Sequence, residues 1–367
     1  MALLDHLNSS LANLPVYQPG RPIEEVAREL GINAADIIKL ASNENPLGPS
    51  RLALQALEKQ LSNLHLYPDG NAFYLKRKLA QHLEVETENL ILGNGSNEII
   101  EFLGHALIRP GVDVVVSEYS FAVYPIVTHL FGGNLITVPA KSYGHDLKAM
   151  RKAITPKTRV IFVANPNNPT GTVASRGDIV EFVNEAPEDV LIAMDEAYID
   201  FLDHPVDFVP LIRGKLKPNL LLMRTFSKIY GLAGLRVGYG IASAESVKAF
   251  EKIRQPFNLN AMAQVAALAA LDDNEHLRLT KRLNREGLDF YSLAFRKLGL
   301  EFIESCANFI MVKVGDGAGV FQALQKAGVI ARPMASYKLP EWIRISIGTT
   351  EENSRCLAAL TKALERS

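Results

Sequence analysis

Val160-Ile161-Phe162-Val163-Ala164-Asn165-Pro166-Asn167-Asn168-Pro169-Thr170-Gly171 sets five apolar residues directly before a cluster of turn formers. A run that short is too brief for a buried helix and reads as a strand covered on both faces. The pattern recurs at 112–116, 190–194 and 220–223, with helical spacing between the runs. Ser50 is placed to cap a helix with Leu54, Leu57 and Leu61 on one face, and Ile99, Phe102, Leu103 and Ala106 repeat that spacing. Strands alternating with helices predict an α/β fold around a mostly parallel sheet.

Four regions follow along the chain. Residues 1–45 are proline-rich (Pro15, Pro19, Pro22), with one short helix predicted over Ile23–Leu30, and read as an arm. Residues 46–260 form the large strand–helix unit, and 261–298 are helical connectors. Residues 299–367 read as a small α+β domain. In it, 301–303 and 308–314 look like strands, and Val320, Phe321 and Leu324 mark a helix. Residues 342–347 alternate, with Ile343, Ile345 and Ile347 on one face and Trp342, Arg344 and Ser346 on the other. Thr349 and Glu352 have capping-box spacing before a last helix.

Composition excludes several classes. The 367 residues carry 40 acidic and 39 basic side chains, which leaves no global field to draw nucleic acid or anionic lipid. The two cysteines, Cys306 and Cys356, fall in segments that read as core or helix and lack zinc-site spacing. None of the eight histidines belongs to a metal or triad pattern. The N-terminal segment lacks the basic region of a secretory signal, and no apolar run approaches the ~18 residues that span a bilayer. A soluble, cytoplasmic protein is expected.

In open parallel sheets, ligands collect at the carboxyl ends of the strands, so the residues after each apolar run matter most. Those are Asn165 to Gly171; Asp195-Glu196-Ala197-Tyr198; Arg224-Thr225-Phe226-Ser227-Lys228, followed by Gly234-Leu235-Arg236-Val237-Gly238; and, after 90–92, Gly93-Asn94-Gly95-Ser96-Asn97 at the start of a helix. Taken singly, each has a plain reading as a turn cluster, a helix cap, a core tyrosine or a solvated lysine. Together they bring an amide, a carboxylate with a phenol, an amine with a guanidinium, and a glycine turn suited to phosphate to one sheet edge.

The ordered set N-P-x-N-P-T-G, D-E-A-Y, T-F-S-K and G-L-R-x-G resembles the fold-type-I pyridoxal-phosphate aminotransferases, an aspartate-aminotransferase-like fold. Within them it is most similar to histidinol-phosphate aminotransferases. The resemblance extends to Leu14-Pro15-Val16-Tyr17-Gln18-Pro19-Gly20 and Leu40-Ala41-Ser42-Asn43-Glu44-Asn45-Pro46.

The resemblance implies pyridoxal 5'-phosphate as cofactor and assigns its partners. Lys228 would condense with the aldehyde and then shuttle a proton, which requires a low amine pKa. Asp195 would face the pyridine nitrogen. Tyr198 and Asn168 would hold the ring's phenolic oxygen, and Phe121 would stack on the ring. Ser96, Asn97, Thr225, Ser227 and Arg236 would form the phosphate cup. Tyr67 would reach the phosphate of the neighbouring subunit, so a homodimer with shared sites is implied.

For substrate, the resemblance assigns Arg344 and Arg332 to oxyanions and Tyr17 to closure of the pocket, while Pro333 departs from the usual residue after the arginine. The expected reaction passes an amino group between histidinol phosphate and 2-oxoglutarate, giving imidazole-acetol phosphate and glutamate in histidine biosynthesis. The same chemistry on aromatic amino acids is the closest alternative. A lyase resembling the phosphothreonine decarboxylases comes next. A cofactor-sensing regulator comes last, since the residues before Asn45 leave no room for a DNA-binding module beside the arm.

Overall fold

The computed structural model describes residues 6–11, 14, 16 and 20–365. A two-residue strand, β1 (Ile38–Lys39), opens the sheet structure. It is followed by β2 (Leu90–Gly93), β3 (Asp113–Ser117), β4 (Asn134–Val138), β5 (Thr158–Ala164), β6 (Leu191–Asp195), β7 (Leu220–Thr225) and β8 (Gly238–Ile241). The carboxyl-terminal part adds β9 (Phe302–Ile303), β10 (Phe309–Lys313), β11 (Val329–Ile330), β12 (Arg332–Pro333) and β13 (Trp342–Ser346).

Strands β2 to β8 form a seven-stranded sheet in the order β2-β8-β7-β6-β5-β3-β4. Only β8 runs against its neighbours; the remaining pairs are parallel. The apolar runs lack alternation because helices cover both faces. On β5, Ile161 and Val163 enter one core cluster, while Val160 and Phe162 enter another on the opposite face.

A four-stranded sheet, β12-β13-β10-β9, and the β1-β11 pair make up the smaller layer. Ile343, Ile345 and Ile347 pack with Cys356 and Leu360 under the helix Thr350–Leu364, whose capping box of Thr349 and Glu352 is present. The other face of β13 is not a solvent face: Arg344 lines the large sheet's cavity, Trp342 packs with Met311, Met334 and Leu339, and Ser346 bonds Asn43, so all three are buried.

Two further expectations need correction. Ser50 caps the helix Arg51–Gln60 as predicted, accepting from the Ala53 amide. The buried residue of that helix, however, is Ala53, while Leu54 and Leu61 are about half exposed. The helix lies against the alanine-rich helix Ala261–Ala270; of the predicted leucine face, Leu57 packs partly buried against the core as expected, while Leu54 and Leu61 turn outward. Cys306 is exposed rather than core; Cys356 is buried.

Candidate active site

The carboxyl ends of β5, β6 and β7 open into a cavity of about 380 Å³, which the smaller sheet closes from the opposite side. Its walls include Ser96, Asn97, Phe121, Asn168, Asp195, Tyr198, Thr225, Ser227, Lys228, Arg236, Arg332 and Arg344. Twelve of the fourteen residues singled out from the sequence therefore meet in one place. Tyr67 does not line its own chain's cavity; it is 83% exposed and stacks on Phe257 at 4.8 Å. Tyr17 lies outside the described residues.

Asp195 ends β6 and is buried. Its Oδ2 accepts a 2.6 Å hydrogen bond from the Tyr124 hydroxyl and its Oδ1 a 3.0 Å bond from the Ala197 amide. Burial raises its pKa, while Tyr124, the Ala197 amide and the charge of Lys228 hold it down. Tyr124 is itself fixed, stacked on Phe162 with ring centroids 4.4 Å apart.

Lys228 follows β7, and its Nζ donates to the Ser42 carbonyl at 3.2 Å. Burial, with the nearby charges of Arg344 and Arg236, lowers its pKa to about 8, against the opposing pull of Glu44 and Asp195. The same amine lies 5.6 Å from the centroid of the Tyr198 ring. Tyr198 is buried, which pushes its phenol up to about 12, and its oxygen accepts a 2.9 Å bond from Asn43 Nδ2.

The glycine turn forms an anion seat. Ser96 begins the helix Ser96–Leu107, and Gly95 at its N-cap offers no side-chain acceptor to the first amides. Gly95 has φ +78°, and a Cβ there would lie 2.4 Å from Arg236 Nη2. At Gly238 of β8, a Cβ would lie 2.4 Å from the Ser96 amide nitrogen. Absent side chains thus let a guanidinium and a helix N-terminus converge, with Ser227 Oγ 3.4 Å from Arg236 Nη1.

Arg344 reaches from β13 across the cavity. Its Nη1 donates to Asn168 Oδ1 at 2.6 Å and its Nη2 to the Ala41 carbonyl at 3.0 Å. Arg332 on β12 is its register partner, so two guanidinium-bearing residues stand opposite one another on neighbouring strands.

A family model described as aminotransferase class I and II matches residues 35–360. The chain belongs to the class I and II aminotransferases. It is 50% identical to a histidinol-phosphate aminotransferase of Akkermansia muciniphila over 99% of this chain and 100% of that protein. It is 49% identical to histidinol-phosphate aminotransferase 2 of Pseudomonas fluorescens, over 96% of each. Among solved structures, the histidinol-phosphate aminotransferase of Sinorhizobium meliloti in complex with pyridoxal-5'-phosphate superposes with a TM-score of 0.89 at 27% identity, over 98% of each chain.

This aminotransferase also uses residues that the sequence reading left without a role. Tyr124 bonds Asp195, 71 positions away, and nothing local in the sequence points to that pairing. Asn43 meets Ser346 and Tyr198 only through the fold. Tyr337 also enters the cavity wall.

Proposed function

We propose that this aminotransferase binds pyridoxal 5'-phosphate in the cavity and passes an amino group between histidinol phosphate and 2-oxoglutarate. The residues present fit the cofactor. An uncapped helix N-terminus beside Arg236 suits a phosphate, and the glycines at 95 and 238 leave the room that it needs. A buried carboxylate held by Tyr124 suits a protonated ring nitrogen. The observation that carries the reading is Lys228, an amine whose pKa falls to about 8 in the same cavity as that carboxylate.

When bound, the cofactor supplies an electron sink for the substrate's α-carbon electrons. Ser96, Asn97, Thr225, Ser227 and Arg236 would hold its phosphate, Asp195 its ring nitrogen, Tyr198 and Asn168 its phenolic oxygen, and Phe121 its ring face. Lys228 would anchor its aldehyde and then, once freed, carry a proton to and from the α-carbon. A pKa near 8 leaves a useful fraction of this amine neutral at physiological pH. Arg344 and Arg332 would take substrate oxyanions by charge and fork geometry, which lets one site accept both a carboxylate and a phosphate.

A homodimer is part of the proposal. Leu52, Leu54, Leu61, Leu64, Leu66, Tyr67, Phe73 and Tyr74 are exposed within one short stretch, an apolar concentration that suits a partner surface. Tyr67 would then serve the partner's phosphate cup. Separate strand sets support the proposed division of a cofactor-binding unit (46–260) from a small unit (299–367), to which the proposed arm (1–45) adds β1 beside β11; residues 261–298 are the proposed connectors. No helix among the described residues is long and apolar enough to cross a membrane; a cytoplasmic location is part of the proposal.

The test is a donor panel. Glutamate alone should convert the bound cofactor to its amino form and release 2-oxoglutarate, which a decarboxylase would not do. Histidinol phosphate should outcompete phenylalanine as donor to 2-oxoglutarate; preference for phenylalanine would replace the substrate assignment.

A further inference from the structure

Each successive backbone carbonyl from Leu40 to Asn43 accepts a hydrogen bond from a residue distant in sequence, and two of those donors, Arg344 and Lys228, line the cavity. The Leu40 carbonyl accepts from the Ser346 amide at 2.8 Å, and that of Ala41 from Arg344 at 3.0 Å. The Ser42 carbonyl accepts from Lys228 at 3.2 Å, and that of Asn43 from Asn308 Nδ2 at 3.0 Å. Asn43, 1% exposed, ends this strap with φ +55°, a left-handed conformation that asparagine tolerates better than most residues.

The side-chain bonds of Asn43 have a direction. Its backbone N–H donates to Ser346 Oγ at 2.8 Å, which leaves the Ser346 hydroxyl proton to donate to Asn43 Oδ1 at 3.0 Å. With Oδ1 engaged, Nδ2 faces Tyr198 and donates to the phenolic oxygen at 2.9 Å. That oxygen is then an acceptor on the strap side, so its own proton points elsewhere. A reversed amide would take the phenolic proton for itself and turn it away from the cavity.

We propose that Asn43 is a positioning residue that sets the direction of the Tyr198 hydroxyl proton, aiming it into the cavity toward the phenolic oxygen of the bound cofactor. Asn43 touches neither substrate nor reacting atoms; it acts through Tyr198, and Ser346 orients it. The other groups around Tyr198 are the Lys228 amine, the Arg344 guanidinium, the Asp195 carboxylate and the edge of Phe309. The Arg344 guanidinium cannot accept the phenolic proton, the Asp195 carboxylate is held by Tyr124 and the Ala197 amide, and in the holoenzyme Lys228 would be tied to the cofactor, so the cofactor oxygen becomes its natural acceptor. Because Ser346 sits two residues beyond Arg344 on β13, the same strand that binds the substrate anion also holds the orienting hydroxyl.

This inference rests on the reading of the cavity as a pyridoxal-phosphate site. Donation from Tyr198 stabilises the anionic ring oxygen and so lowers the pH at which the bound cofactor gives up its proton. The experiment is a visible absorbance titration of holoenzyme against pH for the parent, Asn43→Gly, Ser346→Ala, Tyr198→Phe and the double variant Asn43→Gly/Tyr198→Phe. Glycine keeps the positive φ while removing the amide. The midpoint should rise by about 0.5–1 unit in Asn43→Gly and in the same direction in Ser346→Ala, and the double variant should match Tyr198→Phe alone.

An unmoved midpoint in Asn43→Gly, or a further rise in the double variant over Tyr198→Phe, would overturn the role of Asn43. If Asn43→Gly does not fold, an unmoved midpoint in Ser346→Ala overturns it instead. A purely structural residue would lower thermal stability without moving the midpoint. A parent protein that shows no pH-dependent cofactor band at all would overturn the reading of the cavity, a separate result.

Discussion

Tyr124 and Asp195 are joined by a 2.6 Å hydrogen bond between two buried side chains, phenol to carboxylate. Removing the hydroxyl leaves a buried acceptor with one donor fewer, a loss of about 1–3 kcal/mol. In Tyr124→Phe the Asp195 carboxyl, already raised by burial, should rise further and hold its own proton more often. Turnover should fall by roughly 10-fold with little change in KM, measured by steady-state kinetics with glutamate. Asp195→Asn should keep the cofactor but lose most turnover.

Lys228→Ala should abolish turnover and the borohydride-reducible link to the cofactor, read by mass spectrometry after reduction. The amine also predicts a pH effect on the cofactor-free protein. Its folded pKa, about 8, lies below its ordinary value of 10.5, so the unfolded chain binds more protons between those two values. Stability contributed by this group therefore rises with pH across that window. Chemical denaturation at pH 8 and pH 10 should show the rise in the parent and a smaller one in Lys228→Met.

Much of this arrangement was legible in the sequence because it is local. Short apolar runs ending in Asn165, Asp195 and Arg224 identify strand ends, and strand ends of a parallel sheet share one edge. The Lys228 and Arg236 positions follow from the same motif. What was hidden depends on contacts between distant residues: Tyr124 with Asp195, Asn43 with Tyr198, Ser346 with Asn43. The leucines of Arg51–Gln60 misled for a different reason. Helical spacing reports an apolar face but not what covers it, and here the intramolecular contact goes to Ala53 and Leu57, leaving Leu54 exposed.

Gly238→Ala places a methyl group 2.4 Å from the Ser96 amide, backbone against backbone, where no side chain can yield. The helix N-terminus must shift outward, and overpacking of this kind costs about 1–3 kcal/mol. Cofactor affinity should drop by about 10-fold or more, measured by titrating the apoprotein with pyridoxal phosphate.

The outward leucines carry a prediction of their own. Sedimentation of the parent should give about twice the 40.3 kDa chain mass. Leu54→Asp/Leu61→Asp puts two charges into the proposed subunit contact and should shift the protein toward monomer. Activity should be lost with it, because Tyr67 could no longer serve a second cavity. A fully active monomer would separate the site from the assembly.

Arg344→Gln removes a fork that already spans the Ala41 carbonyl and Asn168. Losing a charge-assisted contact to substrate costs about 2–5 kcal/mol, so kcat/KM should fall by about 10²-fold or more for both amino donors, with Arg344→Lys recovering little of it.

The pairing of Arg332 with Arg344 across neighbouring strands has a practical consequence. Two like charges at facing positions repel, and any small oxyanion settling between them relieves that repulsion whether or not it can react. Sulfate or inorganic phosphate in a storage buffer should therefore raise the melting temperature while acting as a competitive inhibitor. Kinetic constants for this enzyme will depend on the choice of counter-ion, and chloride or zwitterionic buffers will report the faster catalyst.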